Sequence, residues 1–157
     1  MANECNNYLV ITGPADEIER FVRSTTRIVK LLDGTMSTQP CFCFEALVPA
    51  PSYYTADWAC ENWGCKYDVD YLGITIEAMQ WHKGCQKIRL IFATPWDPPR
   101  KWLIQASKAY PKLYFKMESA DYLRCWKEDY FAKAGRMRRK KYTDAECWEL
   151  FKSYWGE

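Results

Sequence analysis

Three short stretches alternate apolar and polar side chains with a period of two, and they constrain this chain more than any other feature. Leu72, Ile74, Ile76 and Ala78 alternate with Gly73, Thr75 and Glu77. Ile88, Leu90 and Phe92 are set against Lys87 and Arg89, and Leu113, Phe115 and Met117 against Tyr114, Lys116 and Glu118. Successive side chains of a strand point to opposite faces, so each stretch reads as a strand with one buried face. A fourth strand is predicted at Asn7–Thr12, rich in β-branched residues and closed by Gly13-Pro14. Helical spacing lies between them. Ile18, Phe21, Val22 and Thr25 recur at i, i+3, i+4 and i+7 behind Asp16, Glu17 and Glu19, which predicts a helix over 14–25. Trp102, Leu103, Ala106 and Tyr110 share a face of a second helix, ended by Pro111. The turn residues HKGCQ predict that 72–78 and 88–92 form a hairpin.

The resulting order, β-α-insert-β-β-α-β, predicts an α+β fold. Specifically, it predicts a ferredoxin-like split βαβ antiparallel sheet with two helices on one face. Residues 1–118 would form that domain, with an insert over about 26–66. The insert reads as a loop (DGTMSTQP), a strand (CFCFEALV) and a short helix over Thr55–Glu61. Residues 119–157 would add a basic hairpin turning at Gly135 and a terminal helix, packed on the same domain. Thr143-Asp144-Ala145-Glu146 opens that helix as a capping box.

Several segments together carry a resemblance. NYLVITGP, ALVPAP at 46–51, ENWGCKYD at 61–68, FATPWDPP at 92–99 and AYPKLYFKM at 109–117 stand in an order and spacing similar to the YubB-like, ferredoxin-like family of phage and plasmid proteins. The resemblance covers about residues 3–118, and ENWG(x)K(x)D followed by PW(x)PP is its most specific part. It implies the fold and a mobile-element origin, hence the cytoplasm of a host cell. It implies no mechanism, because the family has no established activity. After Glu118 the chain departs from the family pattern.

Charge is unevenly placed. Residues 124–142 hold eight basic side chains against Glu128 and Asp129, in a chain whose net charge is only +2. Arg136, Arg138, Arg139, Lys140 and Lys141 stand beside Tyr130, Phe131 and Tyr142, a pairing of cations and rings that suits phosphates and bases. In a regular strand Arg136, Arg138 and Lys140 would point one way and Met137, Arg139 and Lys141 the other. The charges could equally guard a sheet edge against aggregation. The segment KIRLIFAT lacks the glycine and paired aromatics of an RNA-recognition strand, which argues against a sheet-face reader of that type.

ENWGCKYD concentrates Glu61, Asn62, Trp63, Lys66, Asp68 and, just beyond it, Asp70. It reads either as a ligand-presenting loop or as a packed loop with Trp63 in the core and its carboxylates capping local amides. No recognisable catalytic motif is present, and His82 falls in the predicted turn, so catalysis is not expected. The eight cysteines contain no C-x-x-C pair and the chain shows no secretory leader. Reduced thiols are expected, with no metal and no cofactor.

Two functions follow as expectations. One is a non-enzymatic accessory protein that binds and modulates a host protein or nucleoprotein complex, plausible targets being components of antiviral defence. Trp148, seven residues before Trp155 on the terminal helix, would serve as an aromatic anchor. The other is a DNA- or RNA-binding protein that uses the basic hairpin at 127–142. Neither involves a membrane.

Overall fold

The β-branched opening stretch forms an interior strand of the main sheet. In the computed structural model, which describes residues 3–69, 74–76 and 78–156, β1 (Glu4–Thr12) is followed by α1 (Ala15–Thr25), β2 (Thr26–Arg27) and β3 (Cys41–Phe42). Next come α2 (Ala56–Asn62), β4 (Ile74–Thr75), β5 (Lys87–Pro95) and α3 (Arg100–Ala109). β6 (Tyr114–Asp121), β7 (Trp126–Lys133), β8 (Arg136–Lys141) and α4 (Asp144–Phe151) complete the chain. The fold is α+β. Its main sheet is antiparallel with the order β5-β1-β6-β7-β8, and a second sheet has the order β2-β3-β4.

Alternation along the strands decides which face is buried. Leu9 of β1 lies opposite Leu90 and Met117, and Ile11 lies opposite Ile88 and Phe115. Onto this face α1 lowers Ile18, Phe21 and Val22, and α3 lowers Trp102, Leu103 and Ala106. The Phe21 ring meets Phe115 at 5.7 Å and Trp102 at 6.4 Å, both edge-on. Fully burying side chains of this kind contributes about 1.5–3 kcal/mol each, which is what holds both helices to one face. β5 and β6 are each antiparallel to β1, so they run parallel to one another with β1 between them. α3 makes the crossover.

Among the described residues the predicted hairpin between 72–78 and 88–92 is not formed. Ile74–Thr75 pairs instead with Cys41–Phe42 of the insert, and the Ile76 amide donates to the Pro40 carbonyl at 3.2 Å. Residues 70–73 and 77 lie outside the described residues. The competing edge wins because β3 is anchored in the core: the Phe42 ring sits 5.5 Å from Phe92 and 5.3 Å from Trp102. β5, with Lys87 and Arg89 exposed, is thereby left as an outer strand, and charged side chains discourage further pairing there.

The CFCFEALV strand is also shorter than predicted. It ends at Phe42, because the Asp68 carboxylate accepts the Phe44 amide at 2.6 Å and the Glu45 amide at 3.0 Å and turns the chain away. In the tail, the division drawn at 118 falls inside β6, and β7 and β8 continue the same sheet. Ala134 and Gly135 both take positive φ (49° and 80°), the geometry of a two-residue I′ turn, and close the β7–β8 hairpin. α4 opens on the predicted capping box between Thr143 and Glu146. Among the described residues no helix is long and apolar enough to cross a membrane.

Candidate nucleic-acid interface

α1, α3 and the insert cover one face of the main sheet, whereas α4 covers only one end of the other. There Cys147 and Phe151 pack on Ala120, and the rings of Tyr122 and Tyr154 stack at 4.4 Å. Beyond α4 the face is open. Register places Phe131 between Lys116 and Arg138, and Val10 between Lys116 and Arg89, so one cross-sheet row reads Arg89, Val10, Lys116, Phe131, Arg138. The Arg138 guanidinium lies 4.5 Å over the Phe131 ring.

As alternation requires, β8 splits its charges between faces. Arg136, Arg138 and Lys140 are exposed on the open side, while Met137 packs against the core. Arg139 turns toward the helix side, 3.9 Å from the Glu128 carboxylate, and Lys141 stands opposite Glu128 in register. Tyr130 needs correction as a surface ring. It is fully buried on the helix side, where its hydroxyl donates to Glu128, and Arg100 approaches the same carboxylate at 4.0 Å. Burial and that carboxylate together push the Tyr130 phenol well above its ordinary range. The ring that meets the cations is its neighbour, Phe131.

The acidic groups that β6 and β7 place on the open face are already matched. Lys127 reaches Asp129 at 2.6 Å and Glu118 at 3.4 Å. The Tyr142 hydroxyl donates to Asp129 at 2.7 Å, and this bond pushes its pKa up to about 12. Arg89, Lys116, Arg136 and Arg138, by contrast, make no ion pair among the described residues. Tyr114 (39% exposed), Phe131, Lys133, Arg136 and Arg138 line a shallow concavity of about 760 Å³. The arrangement offers unpaired positive charge with rings between, on a surface no element covers. Tyr114, Lys116 and Arg89 are absent from the sequence-based site. The signal for them was present: each is the polar partner in an alternating strand, and they join the hairpin once β7 and β8 are placed in the same sheet.

ENWGCKYD has the geometry of a packed loop. Trp63 is fully buried and its indole N–H donates to the Val48 carbonyl at 3.0 Å. Asp68 accepts three backbone amides, from Phe44, Glu45 and Val69, while burial raises its pKa from the usual carboxylate value. Asn62 donates to the Trp58 carbonyl at 2.8 Å. At Gly64 (φ +96°) a side chain would meet the Arg100 amide at 2.9 Å, so the glycine lets the loop buttress the start of α3. Glu61 and Lys66 stay exposed, with the Lys66 ammonium 5.5 Å from the Trp96 ring. Asp70 lies outside the described residues.

Elsewhere, burial pushes the Cys5 thiol up to about 12 and the Cys43 thiol to about 11, and raises Cys65 further. Such thiols stay protonated and are poor nucleophiles. His82 is exposed, its Nδ1 3.2 Å from the Lys83 carbonyl oxygen. Among the described residues no group of three His, Cys, Asp or Glu side chains is placed to hold a metal ion. Trp148 is 47% exposed, its ring tilted on Trp155 at 5.0 Å. No family model, curated protein or solved structure matches the chain.

Proposed function

We propose that this chain binds nucleic acid through the open face of its main sheet. The observation that carries the reading is the cross-sheet row in which Phe131 stands between Lys116 and Arg138, with Arg136 and Tyr114 beside it and no helix above. Unpaired cations attract phosphates through counterion release, and accessible rings, here the exposed Tyr114 and the half-buried Phe131, offer stacking surfaces. Behind the face, the β5–α3–β6 crossover around β1 supports reading the sheet as a ferredoxin-like split βαβ core. Its usual second strand has been drawn into the insert, and two strands have been added at the other side.

The test is the salt dependence of binding to mixed-sequence DNA and RNA, followed by fluorescence anisotropy. Reversing Arg136, Arg138 and Lys140 to glutamate is expected to lower the slope of log K against log salt by about 2–3 and to abolish binding at 150 mM salt. Lys30→Glu, in the insert, is expected to leave the slope within error. Binding that survives the triple reversal overturns the proposal.

Binding to a host protein is a second reading, favoured by the exposed Trp148, Leu150 and Tyr154 on and after α4. A defined protein partner retained after nuclease treatment, and lost in Trp148→Ala but not in the triple reversal, would replace the first reading with this one.

A further inference from the structure

The shape of the same face bears on which kind of nucleic acid it would take, an inference that rests on the reading just given. Readout of a DNA duplex through its major groove uses an element that stands clear of the fold, either a helix or a two-stranded ribbon. The β7–β8 hairpin is the ribbon nearest that description, and it cannot project. Its tip is tied to α3: the Gly135 amide donates to Ser107 Oγ at 3.0 Å, and the Lys108 side chain lies 3.4 Å from where a Gly135 side chain would begin. The hairpin therefore lies in the plane of the sheet with a helix behind it.

At the other end, α4 stands above the same face as a wall. Tyr8, Ile91, Glu118, Ala120 and Phe151 line the step between wall and sheet, a second concavity of about 310 Å³. A surface with only shallow concavities, walled at one end and without a protruding ribbon among the described residues, offers a rigid duplex little more than a tangent. An unpaired strand can instead lie along it and turn its bases down.

The side chains are arranged for that. Phe131 faces Lys116 across the β6–β7 pair, which makes Tyr114, two residues before Lys116, its diagonal neighbour. Diagonal side chains are about 7–8 Å apart, so two rings on adjacent strands stand within reach of adjacent bases. Arg138, with its guanidinium 4.5 Å from the Phe131 ring centroid, shows that the ring face is reachable by a cationic side chain. Arg136 and Arg138 on the edge strand β8 and Lys116 on β6 flank the rings on two sides, where a backbone leading into those bases would pass.

We infer that the open face takes a single-stranded polynucleotide, with bases stacked on Phe131 and Tyr114 and phosphates held by Lys116, Arg136 and Arg138. Every nucleobase has a π face, so the recognition is tolerant of sequence.

The test uses the full chain with labelled oligouridylate, oligothymidylate and a fully paired hairpin carrying the same number of phosphates, at one salt concentration. Both single strands are expected to bind at least ten-fold more tightly than the hairpin, and the two arms report whether the 2′-hydroxyl adds to this. Phe131→Ala and Tyr114→Ala are each expected to weaken single-strand binding by about 5- to 150-fold. They should leave the salt slope unchanged, since neither ring carries charge. Phe131→Trp is expected to restore binding, and Phe131→Leu, which keeps apolar packing without a ring, is not. That pair separates stacking from folding.

Equal or tighter binding of the hairpin overturns the inference and leaves the proposed function standing. Single-strand binding unchanged in the Phe131→Ala/Tyr114→Ala double variant overturns the stacking assignment. Failure to bind any of the three probes removes both.

Discussion

Asp68 and Arg138 are both charged, and their surroundings give them opposite meanings. Asp68 holds three backbone amides where β3 ends, so its carboxylate replaces the ladder partners that the chain gives up at Phe44 and Glu45. Arg138 makes no ion pair among the described residues and rests on one ring. A buried donor left without a partner costs about 1–3 kcal/mol, so Asp68→Ala is expected to lower stability by at least about 2 kcal/mol in urea unfolding. The same substitution should leave nucleic-acid affinity unchanged once folded protein is compared. Arg138→Ala should do the reverse: a stability change of at most about 1 kcal/mol, the range for an exposed cation–ring contact, and a measurable loss of binding. Equal stability of the two variants would mean that the loop around Asp68 does not brace the fold.

At the scale of elements, α4 depends on its first turn. The Glu146 carboxylate accepts the Thr143 amide at 2.8 Å and the Thr143 hydroxyl oxygen accepts the Glu146 amide at 3.2 Å. The Thr143 amide, and then its hydroxyl, hold the Glu146 carboxyl below its ordinary value. A carboxyl lowered in the folded state stabilises above its unfolded pKa, and that contribution disappears as pH falls through the folded one. Acidification below about 4.5 is therefore expected to loosen α4, read as a change in fluorescence or near-ultraviolet circular dichroism of Trp148 and Trp155. Glu146→Gln keeps the box, since glutamine also accepts, and should remove this step from the profile. A transition of the same size in the variant would assign it to another group. This helix was legible in the sequence because a capping box is local, and so were α1, with its four-residue apolar stripe, and the turn at Gly135. The partner of 72–78 was not legible. A period-two pattern says that a stretch is a strand but not which edge it joins, and the rings of Phe42, Phe92 and Trp102 that decide it are distant in sequence. The site was half legible for the same reason. The cations of β8 announce themselves as a run, whereas Arg89, Lys116 and Tyr114 become neighbours of that run only through the pairing of β5, β1, β6 and β7.

For the whole molecule, one strand joins distant parts of the chain. β1 is hydrogen-bonded to β5 and β6 on its two sides, and Leu9 at its middle faces Leu90 and Met117. The apolar residues beneath α4 form a separate small cluster around Ala120, Cys147 and Phe151. Two clusters of unequal size predict two levels of stability. Amides of β1, β5 and β6 should exchange with solvent only on global unfolding, while those of α4 exchange through local undocking at lower free energy. Leu9→Ala deletes a fully buried side chain from the large cluster and should cost about 2–5 kcal/mol. Hydrogen exchange is expected to show that loss at the amides of β1, β5 and β6, with α4 amides exchanging as before. Parallel loss of protection in α4 would show instead that the wall over the open face and the sheet unfold as one unit.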